Sequence, residues 1–306
     1  MSHTCGITTS GRAYCWGLND YGQIGDGSTA PRALPTAVAS GHTFTAITAG
    51  SEHTCALATT GLAYCWGGGS GGQLGTGDRP NMLAYREFTP VQVSTNTAFE
   101  SIVAGYRHTC ALGSGGVAYC WGSYSHGALG RWVDVLSSPT HTRPFNFSTP
   151  LRFSVLTAGN QTTCGLSSTR TAYCWGWNSS GQIGDGTQNT DDKNNDRFTP
   201  TPVVGGHLYI ALSAGDSHAC GLTTQRLTYC WGSGSSGELG DGMRTNRLTP
   251  TAVQTTLRFE AVTTGGGFTC ALSDAGDAYC WGKNGYGSLG DGTLERRLTP
   301  VRVRLP

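Results

Sequence analysis

The chain has 306 residues, enough for one large or two ordinary domains with a sizeable core. Charged residues make up 13% and the formal net charge is +1, which excludes functions that wrap DNA or RNA on a concentrated basic surface. No run reaches the length of a membrane-spanning helix, and the 47 glycines have no three-residue period, so collagen is excluded too.

The first feature along the chain is "HTCGITTSGRAYCWG", residues 3–17. Placing Cys5 opposite Cys15 pairs Gly6 with Tyr14, Ile7 with Ala13 and Thr8 with Arg12. The three-residue loop "TSG" then ends on Gly11, the position of a bulged hairpin that calls for positive φ. The pattern returns at residues 53, 108, 162, 218 and 268. Gly61, Gly116 and Gly276 take the same loop position, while Arg170 and Leu227 are expected to hold it in the fourth and fifth copies.

All twelve cysteines fall into pairs spaced by ten: Cys5 with Cys15, Cys55 with Cys65, Cys110 with Cys120, Cys164 with Cys174, Cys220 with Cys230 and Cys270 with Cys280. Opposed residues across an antiparallel hairpin lie where a disulfide can close. Reduced buried cysteines are the alternative. Neither C-x2-C spacing nor four converging ligands is present, so zinc and thioredoxin-like chemistry are not expected. Six staples would signal an oxidising compartment, so an extracellular or cell-surface location is expected, with the export signal trimmed or encoded upstream.

A full unit reads F-x-x-[IV]-x-[AT]-G, then a Cys strand, a turn, Y-C-W-G, a Gly-rich loop and T-P-x-x-V. Each apolar run has four to seven residues flanked by turn formers, which predicts strands. Four short strands in about 50 residues describe a propeller blade. The predicted fold is therefore an all-β propeller with six cysteine-bearing repeats, at roughly 1–42, 43–97, 98–151, 152–206, 207–257 and 258–306, in a single domain. A six-bladed ring and an incomplete part of a seven-bladed one both fit. The recurring Trp16, Trp66, Trp121, Trp175, Trp231 and Trp281 are expected to form the core between blades.

The run "HTCALATTGLAYCWGGGSGGQLGTGD" resembles the repeat of the regulator of chromosome condensation family, with "GQIGDG", "GELGDG" and "GSLGDG" as further copies of its loop. The resemblance covers essentially the whole chain and implies a propeller, usually seven-bladed. The family's eponymous activity, nucleotide exchange on a small GTPase, is not transferred, because no loop matches by motif. The cysteines point instead to a cysteine-rich, bacterial-type secreted variant. A secreted inhibitor that caps β-lactamases with one propeller face is similar in architecture.

Four histidines, His3, His53, His108 and His218, stand two residues before a cysteine and are expected to bond the backbone of a neighbouring loop. Asp26, Asp185, Asp241 and Asp291 sit in "GDG" turns, read as Asx-type turns in preference to calcium ligands. Arg143, Arg197, Arg247 and Arg297 are expected to donate to loop carbonyls. No nucleophile elbow, zinc-protease motif or P-loop occurs, so no catalytic residue, metal or cofactor is assigned. The longer linkers between the Gly-rich loop and the T-P strand carry the individuality of the repeats. There Trp132, Val135 and Leu136, with Tyr124 and Trp177 nearby in sequence, are the candidate protein-binding residues.

The expected function is a non-enzymatic protein-binding or assembly module, secreted or surface-exposed. It would bind a protein partner or itself, without nucleic acid, membrane insertion or a small-molecule substrate. The alternatives are a glycan-active or other hydrolytic enzyme, a structural element of a surface protein or filament, and an intracellular guanine-nucleotide-exchange-like regulator.

Overall fold

The computed structural model describes residues 3–77, 84–131, 140–147, 149–190 and 194–304. The chain divides into two compact units, residues 1–161 and 162–306. Within the first, the leading sheet has three strands, His3–Ile7, Ala13–Gly17 and Arg32–Ala37. The second repeat adds the missing kind of strand, giving Phe44–Ala49, His53–Ala58, Ala63–Gly68 and Arg86–Gln92 in sequential antiparallel order. The third repeats that order with Phe99–Ala104, His108–Gly113, Val117–Ser123 and Thr140–Asn146, and Phe153–Ala158 follows.

The second unit begins with Thr162–Ser167, Ala172–Gly176 and Arg197–Pro202. Two four-stranded sheets follow. One runs Tyr209–Ala214, His218–Thr223, Thr228–Gly232 and Arg247–Ala252. The other runs Phe259–Thr264, Phe268–Ser273, Ala278–Gly282 and Arg297–Arg302. The fold class is the all-β propeller class.

The hairpin arithmetic holds in the register. Cys5 faces Cys15, Gly6 faces Tyr14 and Ile7 faces Ala13. The five later hairpins keep the same opposition, Cys55 to Cys65, Cys110 to Cys120, Cys164 to Cys174, Cys220 to Cys230 and Cys270 to Cys280. All six pairs are closed as disulfides, each with 4.1 Å between Cα atoms, and no described cysteine is free. The alternative of reduced buried cysteines is thereby set aside. At the third loop position φ is +81° at Gly11 and +79° at Gly61. Where glycine is lacking, Arg170 and Arg226 take φ of +64° and +60°. The strained residue in the fifth repeat is thus Arg226, one place before the expected Leu227, because Thr223 N–H closes the loop on the Leu227 carbonyl.

The recurring "CWG" has a backbone cause. In every repeat the pairing with the outer strand slips between the cysteine and the glycine, so the tryptophan occupies a bulge that re-aims its side chain. The following glycine has φ near +100°, as at Gly67, where a Cβ would lie 2.4 Å from the Glu52 carbonyl oxygen. Trp66, Trp121, Trp175, Trp231 and Trp281 are fully buried. Trp121 joins Leu57, Leu74 and Phe99 in one cluster, and Trp281 joins Leu222, Leu239 and Phe259 in another. Trp16 departs from the expected core role, being only partly buried.

This difference has a measurable size. Trp121→Ala should cost about 3–5 kcal/mol of stability, the range for emptying a large aromatic site, and Trp16→Ala markedly less. Urea unfolding followed by circular dichroism gives both values, and equal losses would contradict the burial difference.

Candidate functional site

The residues that recur at fixed places build one polar device between successive repeats. Gln23 lies in the first Gly-rich loop, and its side-chain oxygen accepts the Tyr21 N–H, which fixes the loop. Its backbone carbonyl then accepts two bonds from the second repeat: the Trp66 indole N–H at 3.0 Å and the Thr54 hydroxyl at 2.8 Å. Gln73 does the same for Trp121 and Thr109, and Glu238 for Trp281 and Thr269. Gln182 takes Trp231 alone, since Ala219 stands in the threonine's place.

The repeated histidines enter here. His3, His53 and His218 place Nε2 at 2.8–2.9 Å from the hydroxyls of Thr54, Thr109 and Thr269. Each hydroxyl proton is committed to a carbonyl, so Nε2–H donates, and burial keeps the ring neutral. The histidines therefore reach the loop backbone through a threonine, where direct bonds were expected. Burial pushes His3, His108 and His218 down to about 4 and His53 to about 3, with neighbouring His108 and His3 adding to the shift at His53. A second ring proton would have no acceptor at Nδ1 of His3 or His53.

The "GDG" aspartates anchor a second device. Oδ1 of Asp26 accepts the Ser28 N–H two residues on, and Oδ2 accepts Nε–H of Arg32 at 2.6 Å. Asp185–Arg197, Asp241–Arg247 and Asp291–Arg297 repeat the arrangement at 2.6–2.7 Å. Arg197, Arg247 and Arg297, expected to hold carbonyls, thus hold these carboxylates. Burial works against the charge on Asp26 and Asp291, but the neighbouring hydroxyl and guanidinium outweigh it and hold both carboxyls below their usual range. Sequence reasoning also missed Asn19, Asn178 and Asn284, buried residues whose amides bridge the two ends of the following loop. Their recurrence three places after the tryptophan was the available signal. Among the described residues no group of three His, Cys, Asp or Glu could hold a metal ion.

With the recurring polar residues committed to the scaffold, the recognition chemistry lies in what differs. Trp132, Val135 and Leu136 lie outside the described residues. Tyr124 and Trp177 are described and half-buried, in the first and second units respectively. Trp177 receives the Thr162 hydroxyl on its carbonyl. Tyr124 is flanked by Ser123 and Ser125, which line a cleft of about 190 Å³ in the third repeat. Tyr106, Arg107, Asn160 and Gln161 line it too, with the Arg107 guanidinium 5.8 Å from the Tyr106 ring centre. Arg107 also lies 3.4 Å from Glu52. The guanidinium side of this pair is 44% exposed and the carboxylate side 13%. No helix among the described residues is long and apolar enough to cross a membrane.

The sequence profile of the RCC1-like domain (WD40_RLD) matches residues 1–306. The ultraviolet-B receptor UVR8 of Arabidopsis thaliana is 31% identical over 248 residues, which span 79% of this chain and 53% of the receptor. Human HERC6, a probable E3 ubiquitin-protein ligase, is 30% identical over 158 residues, 50% of this chain and 15% of the ligase. The chain thus spans about half or less of the length of these relatives. Among solved structures, yeast RCC1 (Prp20) bound to Kap60 superposes with a TM-score of 0.84 at 21% identity, over 99% of this chain and 73% of that one. Prp20p of Saccharomyces cerevisiae has also been characterised for binding to Gsp1p and histones.

These findings overturn the expectation of a bacterial-type secreted variant, of an extracellular location and of a secreted binding module. The likeness is to plant, human and yeast proteins, one of which binds Kap60, Gsp1p and histones. The physical reason for the error is plain. The spacing of ten that joins Cys55 to Cys65 reports two residues opposed across a hairpin, which is a matter of register and says nothing about compartment. The same holds for the cysteines ending at Cys120, Cys174, Cys230 and Cys280.

The neutral imidazoles make stability depend on pH. Unfolding returns each to its ordinary value near 6.5, so below that pH the unfolded chain takes up protons that the folded chain refuses. Stability should be flat above pH 7 and fall progressively between about pH 6.5 and 4, by on the order of 2–3 kcal/mol per buried histidine. Urea midpoints at pH 7.5, 6.0 and 4.5 read this out, and His53→Gln should make the fall shallower by one histidine's share. A midpoint unchanged down to pH 4.5 would contradict the neutral relay.

Proposed function

Because the chain belongs to the RCC1-like domain family of β-propellers, we propose that it is an intracellular regulator that acts by docking a protein partner, in the manner of a guanine-nucleotide-exchange factor on a small GTPase. It carries no bond-making chemistry of its own. The supporting observation is the cleft of the third repeat. Tyr106 is 40% exposed beside the Arg107 guanidinium, and Ser123 and Ser125 line the same cleft. Tyrosine and arginine are the residue types that most often dominate protein interfaces, and the hydroxyls supply the polar complement.

Exchange requires a partner surface that binds the nucleotide-free GTPase better than the nucleotide-bound one, so docking energy drives release. No side chain need take part in covalent chemistry. The Gsp1p binding recorded for the yeast protein makes Gsp1p the first probe. Adding the chain to Gsp1p loaded with a fluorescent GDP analogue should accelerate release at least about tenfold. The double variant Tyr106→Ala, Arg107→Ala should lose about thirtyfold or more of that effect, the scale of an interface hot spot. No acceleration and no binding by the intact chain would overturn the reading, as would full activity in the double variant.

A further inference from the structure

Two junctions between repeats share a frame and differ in charge. At the first, Arg86 of the second repeat reaches back to the Gly-rich loop of the first. It donates to the Asp20 carbonyl at 3.1 Å and lies 4.9 Å from the Tyr21 ring centre. The junction between the fifth and sixth repeats repeats this placement. Gly282 pairs with Arg297 as Gly67 pairs with Glu87, so Arg296 takes the position of Arg86. Ser235 and Ser236 follow Trp231 as Asp20 and Tyr21 follow Trp16. The acid and the aromatic ring of the first junction are thus both replaced by serine.

A second cation enters at the same point. Arg296 donates to the Ser235 carbonyl at 3.4 Å, and Nε–H of Arg244, from the fifth repeat itself, donates to the same oxygen at 3.1 Å. One neutral carbonyl therefore holds two guanidinium groups. Arg247 and Arg297 close by in sequence are paired with Asp241 and Asp291, but among the described residues no carboxylate forms an ion pair with Arg244 or Arg296. Glu238 of the same loop is buried, and its carboxylate accepts the Ser233 hydroxyl and the Ser236 N–H at 2.7 Å each. Glu295, beside Arg296 in sequence, is exposed and makes no ion pair. Arg244, Arg296 and Ser235 are all exposed, so the two cations stand together at an open surface. Their mutual repulsion is relieved by an anion that bridges them.

We propose that Arg244, Arg296 and the Ser235 hydroxyl form a recognition site for a phosphate monoester, carried by a phosphorylated serine or threonine of a protein partner. The charge count selects the ligand. A carboxylate brings one negative charge, whereas a phosphoryl group near neutral pH approaches two and offers three acceptor oxygens, enough for both guanidinium forks. The open surface suits a group that projects from a partner. The site is independent of the exchange reading, since it contains no residue of the Tyr106 cleft.

Calorimetric titration of the full chain at pH 7.5 with a phosphoserine peptide, flanked by two glycines on each side, tests this. The peptide should bind at least about tenfold more tightly than its unphosphorylated form, and Arg244→Gln or Arg296→Gln should each remove about tenfold, the scale of a charge-assisted contact. Arg12→Gln makes the same charge change at an exposed arginine outside the site and should leave the affinity unchanged. Ser235→Asp, which restores the acid of the first junction, should abolish binding while the circular dichroism spectrum stays as it was. No binding of the peptide up to about 10 mM overturns the proposal. So does affinity that survives either arginine substitution or Ser235→Asp, or an equal loss in Arg12→Gln. Binding of inorganic phosphate without the peptide, an adventitious ion only, overturns it as well.

Discussion

A single backbone carbonyl per loop, that of Gln23 and its counterparts Gln73 and Glu238, organises the contact between successive repeats. It accepts an indole N–H and a threonine hydroxyl from the repeat that follows. Each bond contributes about 1 kcal/mol net, but an indole N–H buried without a partner costs more than that. The contact therefore acts chiefly by excluding other arrangements. It requires a glycine two residues on, because the indole lies where a Cβ would be. It also requires the bulge that turns the tryptophan toward its neighbour, and hence the glycine after it. Three separate features of the repeat, the Gly-rich loop, the Thr-Cys strand and the Trp-Gly strand, are consequences of one acceptor.

The histidine completes this arrangement by orienting the threonine. With Nε2–H donating to the hydroxyl oxygen, the hydroxyl proton can point only to the carbonyl. Each histidine acts on the threonine of the repeat that follows, so Phe268 leaves Thr269 untouched: His218 of the preceding repeat is oriented on it and its hydroxyl donates to the Glu238 carbonyl. A residue that recurs four times and sits wholly inside the scaffold is a poor catalytic candidate, and the polar chemistry that varies between repeats is the better guide to partners.

Much of this was legible in the sequence, and the failures have physical causes. The hairpin register, the disulfides and the strand count follow from spacing alone, because a period of two and a loop of three leave no freedom. The tryptophans were recognisable as core, but the partial exposure of Trp16 depends on what lies beside the first repeat, which no local pattern encodes. The Asp–Arg pairs were missed as pairs because their spacing changes with linker length, six residues for Asp26 and Arg32 but twelve for Asp185 and Arg197. Arg226 was misplaced by one residue. The compartment was misjudged because cysteine geometry was taken as evidence about environment. The Tyr106–Arg107 cleft was invisible, being assembled from the turn before His108, the end of the next strand and Asn160 and Gln161, which share no motif.

The placement of the covalent bonds has a mechanical consequence. Every disulfide joins neighbouring strands of one repeat, with its cysteines ten positions apart, and none joins one repeat to the next. Pulled from its termini, the oxidised chain could peel apart only along the hydrogen-bonded seams. It would release linkers and outer strands while each central hairpin stayed a closed knot. Reduction would leave those seams unchanged and lengthen the rope, so redox state would set how far the protein can extend and leave the force at which it first gives way to the indole and threonine contacts.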